Sequence, residues 1–380
     1  MHAPGPARTV ARPRVLLASA TITPTKPLTP SHLKNLFWLD VLYKATALVA
    51  DISYPYNLLT ANLTAQTLGF WEYLDRVNGD AGYAAYGEEQ IGELYVRYQA
   101  EPKRAPFPLL RPYLSAAESG WMHPSARRIT DIWAGHYALL GLHDPGLGAP
   151  APLEIGLAEL IERLRARNLC LDCRPYGGPL YLDATAHGLP LRQIVTADGQ
   201  PNYLAGALRQ LVPLAPDYDE TILACDADVA QDYLLLERVL TEFGAKVHRL
   251  VLGRVPIDGV VQSSRHGGWQ RYTVPRLAQA ARPAASDLTA FRLGMRCYFV
   301  GVLGRGQGQS FRLDRLCQAV TRAGRLLADT VEAAASTELT GFVRRFTGHR
   351  AHVDPYRLTT ALLTRGRPAP VHDLVKAVYG

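Results

Sequence analysis

Several things are scarce in this sequence, and each scarcity removes a class of protein. Five cysteines at irregular spacing in 380 residues do not make a disulfide-stapled scaffold, and they suit a reducing compartment. Cys170 and Cys173 form one C-x-x-C, but a structural zinc site ordinarily takes a second pair, and Cys225, Cys297 and Cys317 stand alone, so no metal site is expected. No apolar run approaches the roughly 20 residues that cross a bilayer. The N-terminal stretch MHAPGPARTVARPR has basic residues and prolines but no apolar h-region, so it reads as a flexible leader and not as a secretion signal. The expectation is a cytoplasmic protein without a membrane partner. The patterns G-x-x-x-x-G-K-[ST], G-x-S-x-G and H-E-x-x-H are also missing, which removes the P-loop, the hydrolase elbow and the zincin helix.

What is present is a chain with 48% apolar and 20% charged residues, enough to bury a large core in more than one domain. Its formal net charge of +7 permits contact with phosphates, but the arginines are spread along the chain and form no block. Short β-like runs alternate with helical patterns from Val15 onward, which predicts an α/β core with a parallel sheet. The first unit is Val15–Ala20, a turn, and a helix from about Ser31 with Leu33, Leu36, Phe37 and Val41 on one face. Later units are Gln193–Thr196, a helix around Tyr203–Leu211, the run Thr221–Ala224, a helix near Gln231–Phe243 closed by Gly244, and a strand over Lys246–Leu252. Between the two halves lies a Tyr-rich segment broken by HDPGLGAPAP at 143–152, and from Ala285 the pattern is mostly helical. The glycines of GRGQGQ at 304–309 lack a strand-then-helix context, so they read as a connection and not as a phosphate loop.

The stretch TPTKPLTPSHLKN at 23–35 carries the most chemistry. Thr29 suits an N-cap and Pro30 the first helical position, so free amides and the positive helix end point out of the sheet edge, where α/β folds bind phosphates. Lys26 and His32 are both placed to reach an anion held there.

This stretch resembles the HIGH motif of class I aminoacyl-tRNA synthetases, in the arginyl-tRNA synthetase form where a lysine precedes P-L-H-V-G-H-L-R-N. Lys26-Pro27-Leu28 and His32-Leu33-Lys34-Asn35 match, and Thr29 stands in place of the first histidine. Three further segments follow in the family's order. ADGQPNYLAGAL at 197–208 is similar to D-G-x-P-T-Y-x-A-x-D-I, and ACDADVAQDYLLLERVL at 224–240 to G-A-D-Q-x-x-H-F. VQSSRHGG at 261–268 is similar to the KMSKS loop, with Val261 and Ser264 at the lysine positions. The resemblance covers about residues 14–330.

The resemblance implies an α/β fold of the class I synthetase (HUP-type) kind: a Rossmann-like parallel sheet split by a connective insertion, then a mostly helical C-terminal region. The boundaries it implies are a leader at 1–13, a first catalytic half at 14–75, the insertion at 76–180, a second half at 181–255, the KMSKS-like loop region at 256–284 and a reduced helical region at 285–380. It also implies ATP as co-substrate, with magnesium. Lys26, His32, Arg265 and His266 would be catalytic. Thr29, Ser31, Asp228, Ser263, Ser264 and Gly267 would bind ATP, with Asp228 by the ribose. Thr23, Asp198 and Tyr203 would line the acyl pocket. Ala207 stands where the family has the acid that reads a guanidinium, and Val229 where it has a glutamine, so arginine is not the expected substrate. The expected activity is formation of an acyl-adenylate from an amino acid or related carboxylate, then transfer to a small amine or hydroxyl acceptor without tRNA, as in specialised metabolism. The alternatives are an aminoacyl-tRNA ligase or aminoacyl-tRNA-dependent transferase, and an inactive binding or regulatory protein. A basic piece such as FVRRFTGHR at 342–350 reads first as a solvated helix face and second as a phosphate contact.

Overall fold

The computed structural model describes residues 11–148, 151–261, 267–328, 339–364 and 371–380. Strand β1 (Arg14–Ser19) holds Val15, Leu16 and Leu17, all fully buried. A run that is apolar on both faces belongs inside a sheet covered on both sides. The chain continues through helix α1 (Pro30–Thr46) to β2 (Asp51–Ser53), which pairs parallel with β1 in the register Val15 to Ile52. On the other side of β1 lies β6 (Glu220–Asp226), also parallel, with Leu17 opposite Ile222. From β6 the chain crosses through α9 (Ala230–Glu242) to β7 (Val247–Leu252), again parallel. Each crossover contains a helix, as parallel neighbours require. The four strands run β2-β1-β6-β7. Gly244, at φ +91°, ends the turn of α9 in the left-handed region, as its place after the helical pattern predicts.

Between β2 and β6 the chain builds helices α2 (Leu59–Asn62), α3 (Ala65–Asn78), α4 (Glu88–Ala100), α5 (Phe107–Glu118), α6 (Pro124–Leu140) and α7 (Leu157–Arg165). A three-stranded antiparallel sheet follows, β3 (Cys170–Asp172), β4 (Leu180–Leu182) and β5 (Arg192–Val195), and then α8 (Tyr203–Leu214). Gln193–Thr196 is not a unit of the parallel sheet, because Arg192–Val195 pairs antiparallel with Leu180–Leu182. The physical reason is the connection: a short loop joins β4 to β5, and no crossover helix precedes β5.

The C-terminal region is helical, as expected. It comprises α10 (Val274–Ala281), α11 (Leu288–Arg296), α12 (Leu313–Ala328), α13 (Leu339–Arg344), α14 (Pro355–Leu363) and α15 (Val371–Leu374). α11 runs on into a π-helical stretch, Cys297–Val302. α1 is the pivot of the molecule. Leu39 and Leu42 cover one face of the sheet beside Val15, Leu17 and Ile222. Leu33, Phe37, Trp38 and Val41 pack into a second core with α3 to α6 and the C-terminal helices. The opposite face of the sheet is covered by α8 and α9 around Leu16, Leu223 and Leu236. An amphipathic surface helix would expose one side; α1 instead also buries Lys34 and Asp40.

Asp40 is 2% and Arg296 0% exposed, and they meet through two hydrogen bonds of 2.6 and 2.9 Å. Arg296 also donates to the carbonyls of Leu140 and Gly141 at the end of α6, and Lys44 donates to the carbonyl of Gly141 and lies 3.3 Å from Asp40. Gly141, at φ +63°, lies against Arg292 closely enough that a Cβ would clash with it. Asp40→Ala leaves the buried Arg296 and the partly buried Lys44 without their carboxylate and is expected to cost about 3–5 kcal/mol in denaturant unfolding. The pair Asp40→Leu with Arg296→Leu should recover most of that. A single-variant loss below about 1 kcal/mol would contradict the assignment.

Candidate active site

The strand order creates a crevice. From β1 the chain departs to one side, toward β2, and from β6 to the other, toward β7. Open α/β sheets take ligands outside the C-terminal ends of the strands at such a switch point. Above β1 and β6 the chain leaves through Ala20, whose N–H donates to Ala224 at 2.8 Å, and reaches the start of α1 at Thr29.

Thr29 has extended backbone and Pro30 opens the helix. The Thr29 N–H donates to Nδ1 of His32 at 3.1 Å, and the Thr29 hydroxyl lies 3.1 Å from the same nitrogen. A ring whose Nδ1 accepts carries its proton on Nε2. Burial, then the charges of Lys26 and Arg254, push the imidazole down from 6.5 to about 3. His32 is therefore neutral at pH 7. It offers an N–H donor and not the positive charge that its spacing from Lys26 invites one to assign. Lys26 is buried with its Nζ 5.1 Å from the centre of the Tyr95 ring, a cation–π distance.

Arg254, just past β7, was not marked by sequence reasoning. Its Nη1 lies 2.6 Å from Oδ2 of Asp228, and the N–H of Asp228 donates to Asp226 at 2.9 Å. Burial and the neighbouring Asp228 raise the Asp226 carboxyl above its usual range. Ser31 accepts from the N–H of Val255 at 3.0 Å, which ties the helix start to the segment after β7. Thr29, Ser31, Val255, Ile257, Gly267 and Trp269 line a narrow cleft of about 20 Å³ over the helix start. Lys26, Thr29, Ser31, His32, Asp228 and Gly267 are thus drawn around one place. Ser263, Ser264, Arg265 and His266 lie outside the described residues.

The expected acyl-pocket residues are not drawn together in the same way. Tyr203 donates its hydroxyl to Asp232, which pairs with Arg192 at 2.8 Å, and burial followed by Asp232 raises the tyrosine above its ordinary value. Asp198 is exposed and accepts from Thr196 within its own turn. The carbonyl of Thr23 accepts from the N–H of Thr25 at 2.9 Å. No hydrogen bond joins Thr23, Asp198 and Tyr203 to one another among the described residues. A second polar group does sit at the strand ends. Ser19 and Tyr54 are 2.9 Å apart through their hydroxyls, and Tyr56 accepts from the N–H of Ile22 at 3.1 Å. With Asn35 and Cys225 they line a void of about 20 Å³. The signal for these was SYPY at 53–56, two tyrosines just past the edge strand.

The glycines after the π-helical stretch have a structural use. Lys34, buried one position beyond Leu33, donates to the carbonyls of Gly306 at 2.5 Å and Arg305 at 3.3 Å, and burial lowers its ammonium to about 8. The loop turns carbonyls toward a cation, the opposite of a phosphate cradle. A Cβ on Gly253 would strike the backbone of Gly306, so the loop packs directly on the end of β7.

A helix N-terminus, a lysine, a neutral histidine and an arginine–aspartate pair thus meet at a switch point of the parallel sheet, where open α/β folds take ligands. Comparison with known proteins narrows the fold. No family model matches the sequence, and no curated protein matches it. Among solved structures, the chain is similar to Thermus thermophilus arginyl-tRNA synthetase, with TM-score 0.55 and 17% identity over 96% of this chain and 67% of that one. It is also similar to Plasmodium falciparum arginyl-tRNA synthetase, with TM-score 0.57 and 10% identity over 88% of this chain and 62% of that one. The chain has an aminoacyl-tRNA synthetase-like fold of this kind and spans about two thirds of the length of those structures.

The His32 assignment has a pH consequence. The folded state holds the ring neutral while the unfolded chain takes up a proton near 6.5, so stability falls as pH drops from 6.5 and levels near 3. His32→Asn keeps an acceptor for the Thr29 N–H and removes the titration. Denaturant midpoints between pH 7 and 4 should fall less steeply in that variant than in the parent; equal slopes would refute the neutral assignment.

Proposed function

We propose that the protein uses ATP to activate an amino acid or related carboxylate and passes the acyl group to a small amine or hydroxyl acceptor. A carboxylate oxygen attacks the α-phosphorus, the bond from that phosphorus to the bridging oxygen breaks, and pyrophosphate leaves. The acceptor then attacks the acyl carbon and AMP departs. The observation that carries this reading is the convergence of Lys26, His32 and the Arg254–Asp228 pair on the N-terminus of α1. Charge that develops on the phosphate oxygens would meet the Lys26 ammonium, the Nε2–H of His32 and the helix amides. Such donors act by being already in place.

Asp228, on the β6 side, is suited to accept from a ribose hydroxyl. Magnesium would arrive with the nucleotide and neutralise the leaving pyrophosphate. Among the described residues no group of three or more His, Cys, Asp or Glu side chains is placed to hold a metal ion. The 20 Å³ cleft is far smaller than a triphosphate, so binding requires the segment with Gly267 and Trp269 to move outward and then close, a common gating motion. Among the described residues no helix is long and apolar enough to cross a membrane.

ATP–pyrophosphate exchange across a panel of amino acids and other carboxylates tests the reading. Exchange without tRNA is the expected result. Exchange only with tRNA would favour the aminoacyl-tRNA ligase, and none with any carboxylate, with or without tRNA, would favour the inactive protein. Lys26→Met keeps an aliphatic stem against Tyr95 and should lower exchange about 100-fold. Undiminished exchange in that variant would remove Lys26 from the mechanism.

A further inference from the structure

A larger cavity lies away from this crevice and shares none of its lining. It encloses about 330 Å³ on the α1 face of the sheet, beside the edge strand β7, which is within the range of about 300–1,000 Å³ typical of small-molecule sites. Trp38, Ile222 and Leu250 form an apolar floor, and the segments 302–309 and 350–356 wall it on two sides.

The charge on those walls is one-sided. Arg305 and Arg350 reach the cavity, and neither has a carboxylate partner among the described residues. Arg305 donates through Nε to the carbonyl of Val251 at 3.0 Å. Arg249 lines it too, already paired with Glu237. Of the acids, Asp354 is on the rim, where it caps α14 by accepting from Arg357. Glu220 lies beneath the floor and is committed. Burial opposes its ionisation, but hydrogen bonds from His352 and the Ala351 N–H bring it down to about 2, and His248 stands 3.3 Å away. Glu220 thereby fixes the His352 imidazole, which lines the cavity together with His248. Burial leaves His248 below its usual value, against the pull of Glu220 and with the charges of His352, Arg350 and Lys246.

We propose that this cavity is a binding site for a small phosphate ester, separate from the site for ATP. The phosphate lies between Arg305 and Arg350, and the organic part rests on Trp38 and Ile222. Paired arginines suit a phosphate because each presents a planar fork of N–H donors to its oxygens. The two guanidinium-bearing residues are exposed loop positions, so their replacement leaves the core intact.

Calorimetric titration with phenyl phosphate tests the assignment, with benzoate and a short RNA oligonucleotide as competing probes. One site per chain is expected, with Arg350→Ala or Arg305→Ala weakening it at least tenfold and Lys26→Met leaving it unchanged. The last variant separates this site from the ATP crevice, so the proposal stands or falls independently of the activity above. No binding at millimolar probe, binding indifferent to both arginine replacements, loss in Lys26→Met, or tighter binding of benzoate or RNA than of the ester would each overturn it.

Discussion

The Asp40–Arg296 ion pair is the constraint on which the arrangement depends. One carboxylate inside α1 is bound by an arginine from the C-terminal helices, and that arginine also holds the carbonyls that end α6. Two segments far apart in sequence, α11 and the end of α6, are fixed to α1 at one point. Desolvating two charges is expensive, and a buried pair of this kind adds little net stability over apolar packing. Its effect is positional, since no register shift of α1 along the sheet keeps all of these hydrogen bonds. Because α1 begins at the crevice, fixing its axis also fixes where Thr29 and His32 stand.

Lys34 acts in the same sense from the other side of the helix. Its bonds to the carbonyls of Arg305 and Gly306 fasten the loop after the π-helical stretch to α1 just past His32. The start of α1 is thus held from behind by Lys34 and Asp40 and in front by Ser31 on Val255. A rigid scaffold is what a site built on donors of fixed direction requires.

Much of the fold was legible in the sequence because its signals are local. The apolar run Val15–Leu17, the cap and proline before α1 and Gly244 after α9 each state an element's identity in a few residues. The antiparallel β5 was misread because a four-residue strand says nothing of its partner; pairing is settled by the connection, not by composition. The meeting of Lys26, Thr29, His32 and Asp228 at one crevice was legible through their order along the chain, which carried the resemblance. Arg254 and Asp232 were missed because each acts on a residue distant in sequence. The neutrality of His32 was missed as well, since it comes first from burial and then from the charges of Lys26 and Arg254, and spacing reveals neither the burial nor Arg254.

The proposed role of the N-terminus of α1 is to hold the phosphates of ATP. A crystal structure of the protein with a non-hydrolysable ATP analogue and magnesium tests it most directly. Phosphate oxygens are expected within hydrogen-bond distance of the Nε2 of His32 and beside Lys26, with the ribose toward Asp228 and the Gly267–Trp269 segment displaced outward. A nucleotide bound elsewhere, or phosphates that leave the His32 Nε2 without contact, would contradict it.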